Sequence, residues 1–136
     1  MMIRHSLRTA LLLASLGLAS AAGAQADFGK LLAHYSQPGR RDFSVERGKE
    51  LWLKKWPVED GEALSCTTCH GTDLRRPGRH NKSGKVIEPM APSVNKSRYT
   101  NMEEIEKWFT RNCKQVMKRE CTTQEKGDVL RYLSQF

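Results

Sequence analysis

The run Cys66-Thr67-Thr68-Cys69-His70 constrains this chain more than any other feature in it. On a helix, residues at i and i+3 stand one turn apart on one face, and here a histidine follows directly. That order suits a covalently held haem c. Each thiol adds to one vinyl group, the two thioethers fix the ring plane, and His70 is delivered to the iron as its proximal ligand. Three other readings of the cysteines compete. A thioredoxin-like pair at Cys66 and Cys69 needs a βαβ setting, and no alternating strand pattern is visible. A zinc site from Cys66, Cys69, Cys113 and Cys121 would have seven residues inside its second pair, where two to four are usual. A plain disulfide framework is the third.

The first 26 residues bear on the compartment. Arg4 and Arg8 precede an apolar run over residues 9–20, which is too short to span a bilayer comfortably. Small residues follow at Ala22-Gly23-Ala24 and Ala24-Gln25-Ala26, each an A-x-A cleavage signal. The reading is a signal peptide over 1–26, cleaved after Ala24 or Ala26, and a periplasmic domain over 27–136. An uncleaved anchor is the competing reading. In an oxidising compartment, Cys113 and Cys121 are expected to close a short disulfide loop between the last two helices.

Charge narrows the partners. The leader holds two of the 23 basic residues and none of the 15 acidic ones, which leaves 21 against 15, or +6. Export and the interspersed acidic residues argue against nucleic acid. An acidic protein or an anionic cofactor suits the balance better.

Periodicity predicts an all-α chain. Helical spacing appears over residues 28–35 (Phe28, Leu31, Leu32, Tyr35) and 43–56 (Phe43, Leu51, Trp52, Trp56), the second ended by Pro57. Thr100-Asn101-Met102-Glu103 and Thr122-Thr123-Gln124-Glu125 read as capping boxes that open two further helices. Residues 75–98, with three prolines and two glycines, read as a long ordered loop. With 38% hydrophobic residues there is little apolar mass to fill the middle of such a shell, and a haem ring would fill it.

Four residues compete for the distal side of the iron: Met90, His34, His80 and Asn112. Methionine serves ordinary electron-transfer cytochromes, but Met90 follows His70 by only 20 residues, in a proline-rich stretch. His34 and His80 are lone histidines. Asn112 is expected within an apolar stripe of Ile105, Trp108 or Phe109, and Val116. A buried amide needs a partner, and helical spacing leaves open whether this is a backbone carbonyl or a metal. Arg75, Arg76, Arg79 and Lys82 follow the attachment motif and suit haem propionates, an acidic partner, or plain solvent.

The segments Ser65-Cys66-Thr67-Thr68-Cys69-His70-Gly71, Arg75-Arg76-Pro77-Gly78-Arg79-His80, Glu88-Pro89-Met90-Ala91-Pro92-Ser93, Trp108-Phe109-Thr110-Arg111-Asn112-Cys113, Arg119-Glu120-Cys121 and Glu125-Lys126-Gly127-Asp128 together resemble the sphaeroides haem protein type of monohaem cytochrome c. The resemblance covers residues 43–136. It implies a class I cytochrome c-like helical domain around one covalently attached haem, with Cys66 and Cys69 as attachment points, His70 and Asn112 as axial ligands, and a Cys113–Cys121 disulfide. It makes Met90 a pocket or loop residue, and it implies electrons from a dihaem cytochrome c and a membrane cytochrome b. The function expected on this basis is that of a high-spin cytochrome. It accepts electrons and binds O2 or NO in the ferrous state when Asn112, a weak amide ligand, dissociates. Slow oxygen-reductase or peroxidase-like turnover stays open. The alternative is a low-spin His/Met electron carrier using Met90.

Overall fold

The computed structural model describes residues 26–36, 38, 42–59 and 61–136. The expected leader lies outside these residues, apart from Ala26. Among the described residues no helix is long and apolar enough to cross a membrane.

Among the described residues five helices form where the sequence supplies caps and an apolar face. The first, α1 (Phe28–Tyr35), starts at Asp27, whose carboxylate accepts from Lys30 N, and it buries Leu31 and Tyr35. The second, α2 (Val45–Leu53), starts at Ser44 and buries Trp52. It stops before the expected Trp56. The residue preceding a proline is driven out of the helical region, and Trp56 instead pairs with Leu64 through two backbone hydrogen bonds of 2.7 and 2.9 Å. The one-turn helix α3 (Cys66–His70) ends at Gly71, where φ is +71°.

The fourth helix, α4 (Met102–Met117), is capped by Asn101, whose side chain accepts from Glu104 N. The expected box at Thr100 is thus one residue early. The Thr100 hydroxyl instead donates to Ser97 O. The last helix, α5 (Thr123–Leu133), has the expected reciprocal box: Glu125 N–H donates to Thr122 Oγ1, and Thr122 N–H donates to Glu125 Oε2.

The loop over 75–98 is ordered, and it contains what periodicity missed. Two-residue strands β1 (Gly78–Arg79) and β2 (Val86–Ile87) pair antiparallel, Gly78 opposite Ile87. Strands this short carry too few residues to show an alternating pattern. Beyond them, Arg98 clamps the carbonyls of Glu88 and Pro89, Tyr99 OH donates to Met90 O, and Ala91 N–H donates to Leu74 O.

Helices α2 and α5 cross backbone to backbone. A Cβ on Gly48 would lie 2.0 Å from the carbonyl oxygen of Asp128. The buried Asp128 carboxylate accepts from Ser44 N and takes a two-pronged grip from Arg47, at 2.9 and 3.0 Å. Trp52, Val129, Leu130 and Leu133 build the core at this crossing. Helix α1 lies on α5 and is clasped by Glu106, which accepts from Tyr35 OH and, at 2.7 Å, from Lys126 Nζ. Gly48→Ala is expected to force the crossing apart and lower stability by about 3 kcal/mol, measured by guanidinium unfolding followed by far-UV circular dichroism.

Candidate haem-attachment site

The cysteines of α3 stand at i and i+3, and neither takes part in a disulfide. Ser65 N–H donates to Thr68 Oγ1 at 2.9 Å, which starts the turn and sets the direction of Cys66. Burial pushes the Cys66 thiol up to about 11. A thiol that holds its proton at neutral pH is a poor redox nucleophile, which weighs against the thioredoxin-like reading. Cys113 and Cys121 are joined to each other in a disulfide, so the four-cysteine zinc site does not assemble. Among the described residues no group of three or more His, Cys, Asp and Glu is placed to hold a metal.

His70 closes the helix with its ring 5.3 Å from that of Trp52. Burial, reinforced by the Arg98 charge, lowers its pKa to about 4. The imidazole is therefore neutral at physiological pH, the form that ligates a metal. Its Nδ1 is buried without a hydrogen-bond partner. Two cysteines one turn apart, outside any disulfide, and an adjacent neutral imidazole form a donor set that fits a covalently tethered haem.

Strand β1 lies directly on this helix. A Cβ on Gly78 would sit 2.2 Å from Cys69 O and 2.8 Å from His70 Cα. Only a glycine permits that approach. Arg79 stiffens the hairpin by donating to Gly84 O at 2.7 Å. Arg75 is held 5.5 Å over the Phe136 ring, while Arg76 and Lys82 are exposed.

The distal candidates are placed unevenly. Met90 packs its side chain against the hydrophobic core. His34 is exposed on α1, edge-on to Tyr35. His80 Nδ1 lies 3.1 Å from the Ser83 hydroxyl, and its Nε2 meets the Gln115 carboxamide nitrogen at 3.2 Å. Asn112 departs from expectation: it is exposed rather than buried in an apolar stripe. The core face of α4 is Met102, Ile105, Phe109 and Cys113. Trp108, 43% exposed, and Asn112 stand on the neighbouring face, because a shift of one residue turns the side chain by about 100°. Gln115, three residues on from Asn112, reaches His80 and Asn81, and Asn81 contacts Cys69 Sγ. The Asn112–Gln115 face is thus on the Cys69 side of the site.

Sequence reasoning missed Trp52, Arg98 and Gln115. Trp52 was visible only as one more apolar helix position, and nothing in its spacing linked it to His70. Gln115 gave no signal, since its partners lie some 35 residues away.

Comparison with known proteins agrees with this geometry. A profile described as a domain of unknown function (DUF1924) matches residues 38–133. The cytochrome c-type protein SHP of Cereibacter sphaeroides is 40% identical over 105 residues, covering 77% of this chain and 81% of that protein. The chain belongs to the SHP family of c-type cytochromes. Oxidised SHP, described as an oxygen-binding cytochrome c, superposes with a TM-score of 0.74 at 38% identity, over 82% of this chain and 99% of that one. Cytochrome c'' of Methylophilus methylotrophus is 30% identical over 102 residues, covering 75% of this chain and 71% of that protein. Its solution structure, concerned with haem-ligand detachment, matches with a TM-score of 0.66 at 28% identity, over 78% of this chain and 90% of that one.

Like its SHP relatives, the chain has the helical class I-like cytochrome fold and carries a covalently bound haem c. Because β1 presses on the attachment helix, Gly78→Ala is expected to displace the hairpin and at least halve the haem bound per chain, read from the reduced pyridine haemochrome of the exported protein.

Proposed function

We propose that this chain is a periplasmic, electron-accepting and gas-binding cytochrome, with Cys66 and Cys69 as the thioether attachments and His70 as the proximal ligand. Asn112 serves as a distal ligand that lets go on reduction. The reading follows SHP, which is described as oxygen-binding. When bound, the haem supplies a redox-active iron that takes a diatomic gas as a ligand once reduced.

The observation that carries the assignment is the division of labour between Met90 and Asn112. Met90, partly buried, packs against the core, with its carbonyl tied to Tyr99 OH at 2.8 Å. Asn112 stands free on the face of α4 that Gln115 brings to the Cys69 side. An amide oxygen is a weak neutral ligand beside a thioether or imidazole, so with haem bound Asn112 would hold the iron loosely and would be readily displaced. Once released, its NH2 can donate a hydrogen bond to a bound gas, since the carboxamide is both acceptor and donor. The disulfide at Cys113 limits how far the amide swings. His70 keeps its neutral ring fixed against Trp52, so the proximal bond does not compete in that motion.

Arg75, Arg76, Arg79 and Lys82, all exposed beside the attachment helix, form the face on which an acidic electron donor docks; the proposed donors are a dihaem cytochrome c and, upstream, a membrane cytochrome b. The physiological gas is O2 or NO.

Asn112→His replaces a weak ligand by a strong one. It is expected to turn the ferric absorption spectrum low-spin and to abolish rapid NO binding to the reduced protein. An unchanged spectrum would remove Asn112 from the iron.

A further inference from the structure

The helix that carries Asn112 is fastened to the rest of the molecule at few points. Helix α2 packs closely on α5, α1 on α5, and α3 on α2 and β1, whereas α4 has no comparably close pairing with another helix or strand among the described residues. Individual side chains hold it. Met102, Ile105 and Phe109 enter the core, and Glu106 joins Tyr35 and Lys126.

Two fastenings flank Asn112 itself. The disulfide ties the very next residue, Cys113, to Cys121 ahead of α5. The other runs to the attachment hairpin. The Gln115 amide lies 3.2 Å from His80 Nε2 and 3.5 Å from Asn81 Oδ1. The atom that meets the ring is the Gln115 carboxamide nitrogen, so its NH2 donates to His80 Nε2, and the neutral ring carries its proton on Nδ1, where the Ser83 hydroxyl oxygen lies 3.1 Å away to accept it. Asn81 in turn rests on Cys69: its N–H points at Sγ at 3.4 Å, and the thiol donates to Asn81 Oδ1 at 3.6 Å. A sulfur that has become a thioether accepts but no longer donates, which leaves the Asn81 carbonyl to the Gln115 amide. The hairpin bearing both residues cannot drift, because Gly78 lies against the backbone of Cys69.

We propose that His80 and Gln115 are positioning residues for the distal ligand: their contact braces α4 against the attachment hairpin and so sets how readily Asn112 leaves the iron. This rests on Asn112 being that ligand. The disulfide restrains the backbone next to Asn112 toward α5. The brace restrains it toward Cys69, from a residue on the same helical face. Loosening either lets the last turns of α4 lift, but only the brace reports directly on the attachment side.

The test uses ferric holoprotein and imidazole as the probe, which must wait for Asn112 to leave. Stopped-flow association rates are compared for the parent, His80→Ala, Gln115→Ala and the double variant, each also in an Asn112→Ala background. Each single variant is expected to bind imidazole about fivefold faster, the factor of one net hydrogen bond. The double variant should match the singles, as two halves of one contact must. In the Asn112→Ala background the acceleration should vanish. Gln115 lies far in sequence from the attachment motif, so its variant carries the test if His80→Ala impairs haem attachment.

A lowered melting temperature with an unmoved rate would make the contact merely structural and overturn the proposal. So would additive effects in the double variant, or an acceleration that survives in the Asn112→Ala background. If Asn112→Ala alone leaves the imidazole rate unchanged, the distal assignment has failed and the brace falls with it.

Discussion

At the crossing of α2 and α5, a hydrogen at Gly48 occupies the place of a methyl group, and the backbone of Asp128 uses the space. The two helices approach closely enough for the Asp128 carboxylate to cap Ser44 and grip Arg47. Trp52, one turn beyond Gly48, is thereby held between Tyr132, at 6.3 Å, and His70, at 5.3 Å. The His70 imidazole is wedged against an apolar wall and kept neutral. A small chain with limited apolar mass thus concentrates its best packing behind the residue whose orientation matters most.

The opposite side is built differently. Among the described residues helix α4 crosses no other helix closely, and it is positioned by a disulfide, a clasp at Glu106 and the contact of Gln115 with His80. Elements with few buried contacts are those that open at low cost. A rigid His70 side and a loosely fastened α4 suit the proposed function, in which the distal ligand must come and go. They suit a permanent His/Met carrier less, since that device gains from holding both axial ligands still.

Much of this was legible in the sequence. The attachment motif, the first helix and the capping box at Thr122 all depend on residues close together in the chain, and local chemistry reports them well. The misreadings have a common cause. Trp56 left its helix because Pro57 constrains the residue before it and a partner waited at Leu64. Asn112 seemed to belong to the apolar stripe because Trp108 was counted as core, yet the inward face runs through Ile105, Phe109 and Cys113. A periodic pattern with aromatic residues at neighbouring positions cannot say which of them turns inward. Trp52 beside His70, and Gln115 beside His80, are contacts between distant segments, and only the fold could reveal them.

The central claim is that a tetrapyrrole tethered at Cys66 and Cys69 has the His70 imidazole on one side and a detachable Asn112 amide on the other. X-ray absorption at the iron edge of the holoprotein, oxidised and then reduced, addresses it most directly. The account predicts only nitrogen and oxygen scatterers in the oxidised protein and the loss of one oxygen ligand on reduction. A sulfur scatterer bound in both states would place Met90 on the iron and contradict it.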